Sequence, residues 1–559
     1  MNFKNISIIK NEHLKFLENK ILNKEFDLVE SKIESLSKEN FNIPVIKLLY
    51  ANSKALNKKS NIQDKKLAFD IFVEIYNSNK KLKNILYSVC ALCFELESYN
   101  EVLFLIENFI QNNEYDSKIY NTLYKIYAAL GETKKANNIL KKIIEKENTN
   151  LKSWSALIFT SLNLEDTTQE EIFKLSKKFS KNLPSYEIKE NIKSSKLNNK
   201  IVIGFITPYF DGNSIDVFLL GFIKKLNRDK FHIIGFNLNV SDSKSDHLKN
   251  YFDNWYHVNQ LNDLDLITFI RKKNINILID LVGHGPGNRL TIFKNRSAPI
   301  QLSWLGYTNT TGLKEMDYII VDPYLVKKEE KSLYSEKFLF LPSIWNSHEK
   351  FDTKLKIAEP PLKKNNYLTF GSFNNFKKIS PSVIKVWSKI LEETTSKLIL
   401  KSSMNNRDDL RKNFLSKFPK QLIENNKITL MEGQKDKKDH LNLYNKIDVA
   451  LDTFPYNGVT TSIEAIWMGV PVLTLKGYNF TSRCGESINI NCNLKEFIAK
   501  NKNDYIQKAI ELTKNTDSLV RLKENLREES SKTTLFNTKK FTDELSKQLI
   551  NLWEKNNTI

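Results

Sequence analysis

Three stretches of this chain carry residue types that could handle a phosphate or a hydroxyl. The first is Gly283-His284-Gly285-Pro286-Gly287-Asn288-Arg289, a glycine-rich loop with a histidine and an arginine behind an apolar run. The second, Asn374-Asn375-Phe376-Lys377-Lys378-Ile379-Ser380-Pro381, puts two lysines just after another apolar run. The third runs Asp452–Arg483, where Asn457-Gly458-Val459 leads into Thr460-Thr461-Ser462, and His440 lies shortly before it. A hydroxyl-rich loop feeding the first turn of a helix offers free backbone N–H groups and the positive end of the helix dipole, which is what a phosphate needs. The same hydroxyls would serve equally as helix caps with no ligand at all. Likewise His284 and His440 fit satisfied structural histidines as well as ligand contacts, and Lys378 fits a solvated surface charge. Other chemistries find no support. The seven histidines show no H-x-x-x-H or H-E-x-x-H spacing, so no metal site is expected. No G-x-x-x-x-G-K-[ST] or G-x-S-x-G is present, which disfavours P-loop hydrolysis and serine-hydrolase chemistry.

These stretches need elements to hold them. Short apolar strands alternating with helices begin at Lys200: 201–207, 231–238, 275–283, 300–306 and 318–322. Glu359–Asn366, EPPLKKNN, reads as a linker because paired prolines stop a helix. A second set of strands follows at 367–373, 397–403, 427–433, 448–453 and 470–475, and the chain turns helical again after Gly485, ending in an amphipathic segment from about Thr534 to Trp553. Such alternation means parallel sheets with helices on both faces. Two such domains would set the carboxyl ends of their strands around a common cleft.

Glycine usage marks where this begins. Of sixteen glycines only Gly131 precedes residue 204. The early region is helical and repeats: Tyr120, Leu123, Ala136 and Leu140 recur at a 34-residue period, with Ala136 stepping back to Val102 and Ala68, and Leu140 to Ile106 and Phe72. Units starting near Leu49, Lys83, Ser117 and Leu151 are expected, with an irregular cap before about residue 45 and a polar linker at 185–199. Stacked repeats give a concave surface suited to peptides, or serve as structure alone.

With 559 residues, the chain has room for three or four domains. Its net charge of +20 comes from 85 basic against 65 acidic residues, but no block of like charge appears, so nucleic acid is not the expected partner. Cys90 and Cys93 sit in an apolar helical pattern and read as core, and Cys484 and Cys492 make no framework. The first twenty residues are too charged for a signal-peptide core, and no stretch approaches 18 apolar residues, so a cytoplasmic protein without a membrane span is expected.

Taken together and in this order, GHGPGNRL, APIQLSWLGYTNTTGLKEMDYIIVD, FGSFNNFKKISPSVIKVW and HLNLYNKIDVALDTFPYNGVTTSIEAIWMGVPVLTLKGYNFTSR resemble the O-linked N-acetylglucosamine transferase / SPINDLY family over roughly residues 200–530. The early repeats are similar to tetratricopeptide repeats and extend the match. The resemblance implies an α/β fold of the GT-B type: residues 1–190 as helical repeats, 200–355 as an acceptor-side Rossmann-like domain, 366–530 as the donor domain and 531–559 as a C-terminal helix. It implies an inverting, metal-independent glycosyltransferase that moves a sugar, most plausibly N-acetylglucosamine, from a UDP-sugar to Ser/Thr hydroxyls of an acceptor protein bound along the repeats. No cofactor beyond that donor substrate is implied. Lys378 stands at the family's donor-phosphate lysine. Thr460 and Thr461, with Asn457 and Gly458, stand at the diphosphate loop. His440 is placed near the nucleotide, Glu464 at the ribose and Asn375 near the base. His284 and Arg289 are placed where acceptor and sugar meet.

Two positions depart from the family. Asn213 occupies the place of a histidine and cannot act as a general base, and Val459 replaces a histidine of the animal enzymes. General-base catalysis contributes ~10²–10⁴-fold. A second expectation therefore stands beside the first: a repeat-based binding protein whose transferase domain binds nucleotide but turns over weakly.

Overall fold

The computed structural model describes residues 11–36, 41–192, 197, 199–212, 214–239, 246–351, 354–402, 408–434 and 436–557. Asn213 and, within the expected 185–199 linker, residues 193–196 and 198 lie outside that set. The chain forms two compact units, Met1–Leu130 and Gly131–Ile559.

The first unit is a run of helices. Lys83–Leu96 and Ser117–Ala129 begin where repeat units were expected, whereas Leu49 falls inside the helix Pro44–Leu56. The repeating small positions explain the packing: Ala68 and Val102 are fully buried, beside buried Phe72 and Ile106. A small side chain at one position lets the next helix approach the large one. Cys90 and Cys93 belong to this core, where burial pushes both thiols up to about 12.

In the second unit, three helices (Thr133–Lys146, Leu151–Ser161 and Gln169–Asn182) precede two sheets. The first sheet comprises β1 (Ile201–Thr207), β2 (Phe231–Asn237), β3 (Asn254–His257), β4 (Ile277–Asp280), β5 (Ile300–Ser303), β6 (Tyr318–Val321) and β7 (Lys337–Phe340), ordered β3-β2-β1-β4-β5-β6-β7. The second comprises β8 (Thr369–Ser372), β9 (Lys397–Ser402), β10 (Ile428–Glu432), β11 (Val449–Leu451), β12 (Val472–Leu475) and β13 (Ile498–Ala499), ordered β10-β9-β8-β11-β12-β13. Every pairing is parallel, as fully buried strands such as β1, β4 and β5 require. In both sheets the strand order reverses beside the first strand, between β1 and β4 and between β8 and β11. Ligands bind at such switch points. The expected fold class, two Rossmann-like sheets behind helical repeats, is the one observed.

The differences have physical causes. β3, β7 and β13 were not expected: β3 and β13 are edge strands of four and two residues, β3 with both ends exposed, and β7 closes the other edge of its sheet with the short run Phe338-Leu339-Phe340. The pair Pro360-Pro361 does not prevent a helix; it starts one, Pro361–Asn365, because proline at the first helical position loses no bond. The last helix, Thr538–Asn557, returns to the first sheet, stacking Phe541 on Trp304 with ring centres 6.2 Å apart. The three preceding helices also join that domain: Trp154, Ile158, Ile172 and Phe179 share one apolar core with Val202, Ile206 and Leu278.

Candidate active site

The loops after β8 and β11 flank the second sheet's switch point and form one wall of a cleft of about 290 Å³, with Asn374, Asn375, Lys378, Tyr456, Val459, Thr460 and Thr461. Ser214, Ile215 and Phe218 from the helix Ser214–Ile223 line the opposite wall, with Leu305, Gly306 and Thr308 after β5 and Trp345 and Asn346 after β7. Gly306 has no alternative there, since a Cβ would lie 1.9 Å from the Leu281 carbonyl oxygen.

Lys378 ends a short turn, Phe376–Lys378, capped by the Asn375 side chain, which accepts from the Lys377 N–H at 3.0 Å. Its ammonium donates to the Asn457 carbonyl at 2.8 Å and lies 4.2 Å from the centre of the Tyr456 ring. Burial pushes Lys378 down to about 8, against the opposing pull of Asp452, so the ammonium remains mostly charged at neutral pH.

Asp452 organises the loop behind it. It accepts from Gly458 N at 2.6 Å, Thr453 N at 2.9 Å and the Thr474 hydroxyl at 2.7 Å, while burial pushes its carboxyl up to about 6. Asn457 is buried, its amide donating to the Thr453 carbonyl at 2.9 Å and accepting from Gly485 N at 3.2 Å. At Gly458 a Cβ would meet Thr461 Oγ1 at 2.6 Å and Asn374 Oδ1 at 2.8 Å, so any side chain there would push these two groups apart. The helix Thr460–Trp467 then starts with Val459 at its N-cap, which has no side chain able to cap it. Thr461 instead turns its hydroxyl to Asn374 Oδ1 at 2.9 Å, and Ser462 turns its own to the Gly458 carbonyl at 3.1 Å. The capping reading of these hydroxyls thus fails. An uncapped N-terminus, with its partial positive charge, and a lysine ammonium share one cleft.

His440 and Glu464 form a separate buried cluster around the same helix. Lys401 donates to His440 Nδ1 at 3.0 Å, and His440 Nε2 lies 2.9 Å from Glu464 Oε2, which also accepts from the Tyr444 hydroxyl at 3.1 Å. Lys437 pairs with the other Glu464 oxygen. Burial alone would raise Glu464, but His440 and Lys437 hold it at about 2. Tyr444 also donates to the Thr461 carbonyl at 3.1 Å, tying the cluster to the cleft wall.

His284 and Arg289 are not brought to this cleft. His284 is buried, with Nδ1 3.2 Å from the Ser155 hydroxyl and Nε2 3.0 Å from the Thr311 carbonyl, and burial pushes it down to about 3, so its ring is neutral. Arg289 pairs with Asp263 and donates to the Leu261 carbonyl at 2.9 Å. Sequence reasoning missed Tyr456, whose signal was its place beside Asn457, and Asn346, for which no spacing gave a clue. Among the described residues no group of three or more His, Cys, Asp or Glu side chains could hold a metal ion, and no helix is long and apolar enough to cross a membrane.

Known proteins match this arrangement. The pattern defining glycosyl transferase family 41 matches residues 174–356 and 361–545. A Solanum lycopersicum protein named probable UDP-N-acetylglucosamine–peptide N-acetylglucosaminyltransferase SPINDLY is 30% identical over 385 residues, 68% of this chain and 41% of its own length. The protein of that name from Eustoma exaltatum subsp. russellianum is 33% identical over 302 residues, 54% of this chain and 33% of its own length. The chain thus spans about two fifths or less of these curated relatives. A solved structure of a mutant Thermobaculum terrenum O-GlcNAc transferase superposes with a TM-score of 0.78 at 23% identity, covering 93% of this chain and 99% of that one, which speaks for a common fold. Because the family pattern takes in both sheets and both walls of the cleft, the chain belongs to glycosyl transferase family 41.

Proposed function

We propose that this chain transfers a sugar from UDP-N-acetylglucosamine to Ser/Thr hydroxyls of protein acceptors, by inversion and without a metal. One observation carries the reading: the Lys378 ammonium and the uncapped start of the helix Thr460–Trp467 line the same cleft at a sheet switch point. The acceptor oxygen bonds to the anomeric carbon as the bond to the β-phosphate breaks, and the diphosphate leaves with the electron pair. The charge growing on that leaving group needs donors fixed in place beforehand, which Lys378 and the helix N–H groups supply. Among the described residues no Asp or Glu lines the cleft. A double displacement would lack a carboxylate nucleophile, which favours a single inverting step. The acceptor proton then passes to a donor phosphate oxygen or to water. The names of the relatives support the sugar, the nucleotide and a peptide acceptor, and the helical repeats offer that acceptor a surface. Purified wild type should hydrolyse or transfer from UDP-N-acetylglucosamine, with Lys378→Ala slower by at least ~10²-fold. Equal rates in both would sink the proposal.

Val459 favours a second reading, a nucleotide-binding protein with weak turnover, because it places an apolar side chain in the cleft. UDP binding with no transfer from any donor in a panel would support it, and detectable transfer would remove it.

A further inference from the structure

Asn346 is 1% exposed, lines the first-sheet wall of the cleft, and its Oδ1 has no hydrogen-bond partner. A buried amide oxygen left unpaired costs about 1–3 kcal/mol, so native proteins rarely keep one without a purpose. The backbone around it is firmly held. Trp345 N donates to Asp322 at 3.1 Å, the Trp345 carbonyl accepts from the Trp304 indole at 2.9 Å, and the Ser347 hydroxyl and His348 N both donate to the Leu535 carbonyl, at 3.0 and 2.8 Å. The backbone on either side of Asn346 is therefore fixed in place, while its amide oxygen goes unused. Its wall is otherwise mostly apolar, with Ile215, Phe218, Leu305 and Trp345, whereas cation and helix N-terminus lie on the wall opposite. A nucleotide diphosphate belongs to that charged wall. On the nucleotide-sugar reading, the sugar attached to that diphosphate is the group placed against Asn346.

We infer that Asn346 is a specificity-determining residue that reads the transferred sugar, its amide hydrogen-bonding a hydroxyl or N-acyl group of that sugar. This rests on the nucleotide-sugar reading above. A site built to hydrogen-bond a substrate group discriminates through the partner left unpaired when that group is missing.

The test compares wild type, Asn346→Leu and Asn346→Ala. Calorimetry gives dissociation constants for UDP-N-acetylglucosamine, UDP-glucose and GDP-fucose, each set against its free nucleotide, and steady-state rates give KM for donor and for acceptor. Leucine keeps the volume, and alanine cannot overpack should leucine fail to fold. Both variants should bind the free nucleotide within twofold of wild type, yet bind the donor that wild type prefers at least tenfold more weakly. Equal weakening of nucleotide and donor, no weakening of either, or a change confined to the acceptor KM would overturn the inference alone. If wild type binds none of these nucleotides or donors, the donor reading falls and the inference falls with it.

Discussion

At the residue scale, the cleft depends on two fitted positions. Lys378 has its charge poised by burial, which lowers it to about 8. A lysine with a depressed value is charged below it and neutral above it. Accordingly kcat/KM for the donor should fall as pH rises through about 8 in wild type, while Lys378→Arg, whose guanidinium stays charged, should lose that limb in a pH–rate profile. Gly458 is fitted by space rather than charge. Gly458→Ala would drive a methyl group into Thr461 and Asn374 and break the bond between them, so donor affinity measured by calorimetry should drop at least tenfold. Gly458 was legible in the sequence because an Asn-Gly before hydroxyls is a local signal, whereas Lys378 by itself fitted a solvated surface charge and its phosphate role came only from the family resemblance. Asn346 was not legible, since its role arises from a fold that brings segments about a hundred residues apart to one cleft, and Tyr456 offered only its place beside Asn457.

At the scale of elements, the helix Thr460–Trp467 is held from behind by Glu464. This buried carboxylate bonds His440, Tyr444 and Lys437. Removing one partner from a buried ionic cluster costs ~3–5 kcal/mol, so Glu464→Ala should lower the unfolding free energy from a denaturant titration by an amount of that order. The pH dependence has a definite sign. Glu464 sits at about 2 in the folded chain against an ordinary 4.5, so its ionised form contributes stability that is complete above about 4.5 and lost as pH falls toward 2. Acid unfolding followed by circular dichroism should show wild type losing stability through that window, and Glu464→Gln should flatten the loss. Continuous apolar runs made the central strands readable. β3 was unreadable for the opposite reason, as it reads Asn-Trp-Tyr-His with both ends exposed.

At the scale of the molecule, Arg483 joins the two sheet domains. Its buried guanidinium pairs with Glu330 at 2.7 and 2.9 Å, donates to the Leu325 carbonyl at 3.2 Å, and also bonds its own loop at Tyr478 and Gly477. Thr308 and Thr481 share a further bond at 2.9 Å, and Ser487 donates to Asp322 at 2.6 Å. Arg483→Met leaves Glu330 without its cation, so scanning calorimetry should show the sheet domains melting at a lower temperature, with the single transition broadened or split. The drop in glycine before residue 204 marked where the sheets begin, but the sequence carried no sign that earlier helices are part of their shell. Gln169 and Asn309 exchange amide bonds at 2.8 and 2.9 Å, and Ser155 holds His284. This has a practical consequence for anyone exchanging the early helices. A graft cut in the polar stretch near residue 190 would strip the sheet domain of Trp154, Ile158 and Phe179 and leave a greasy, sticky product. A seam close to Gly131, at the boundary of the second compact unit, keeps that shell with the sheets it covers.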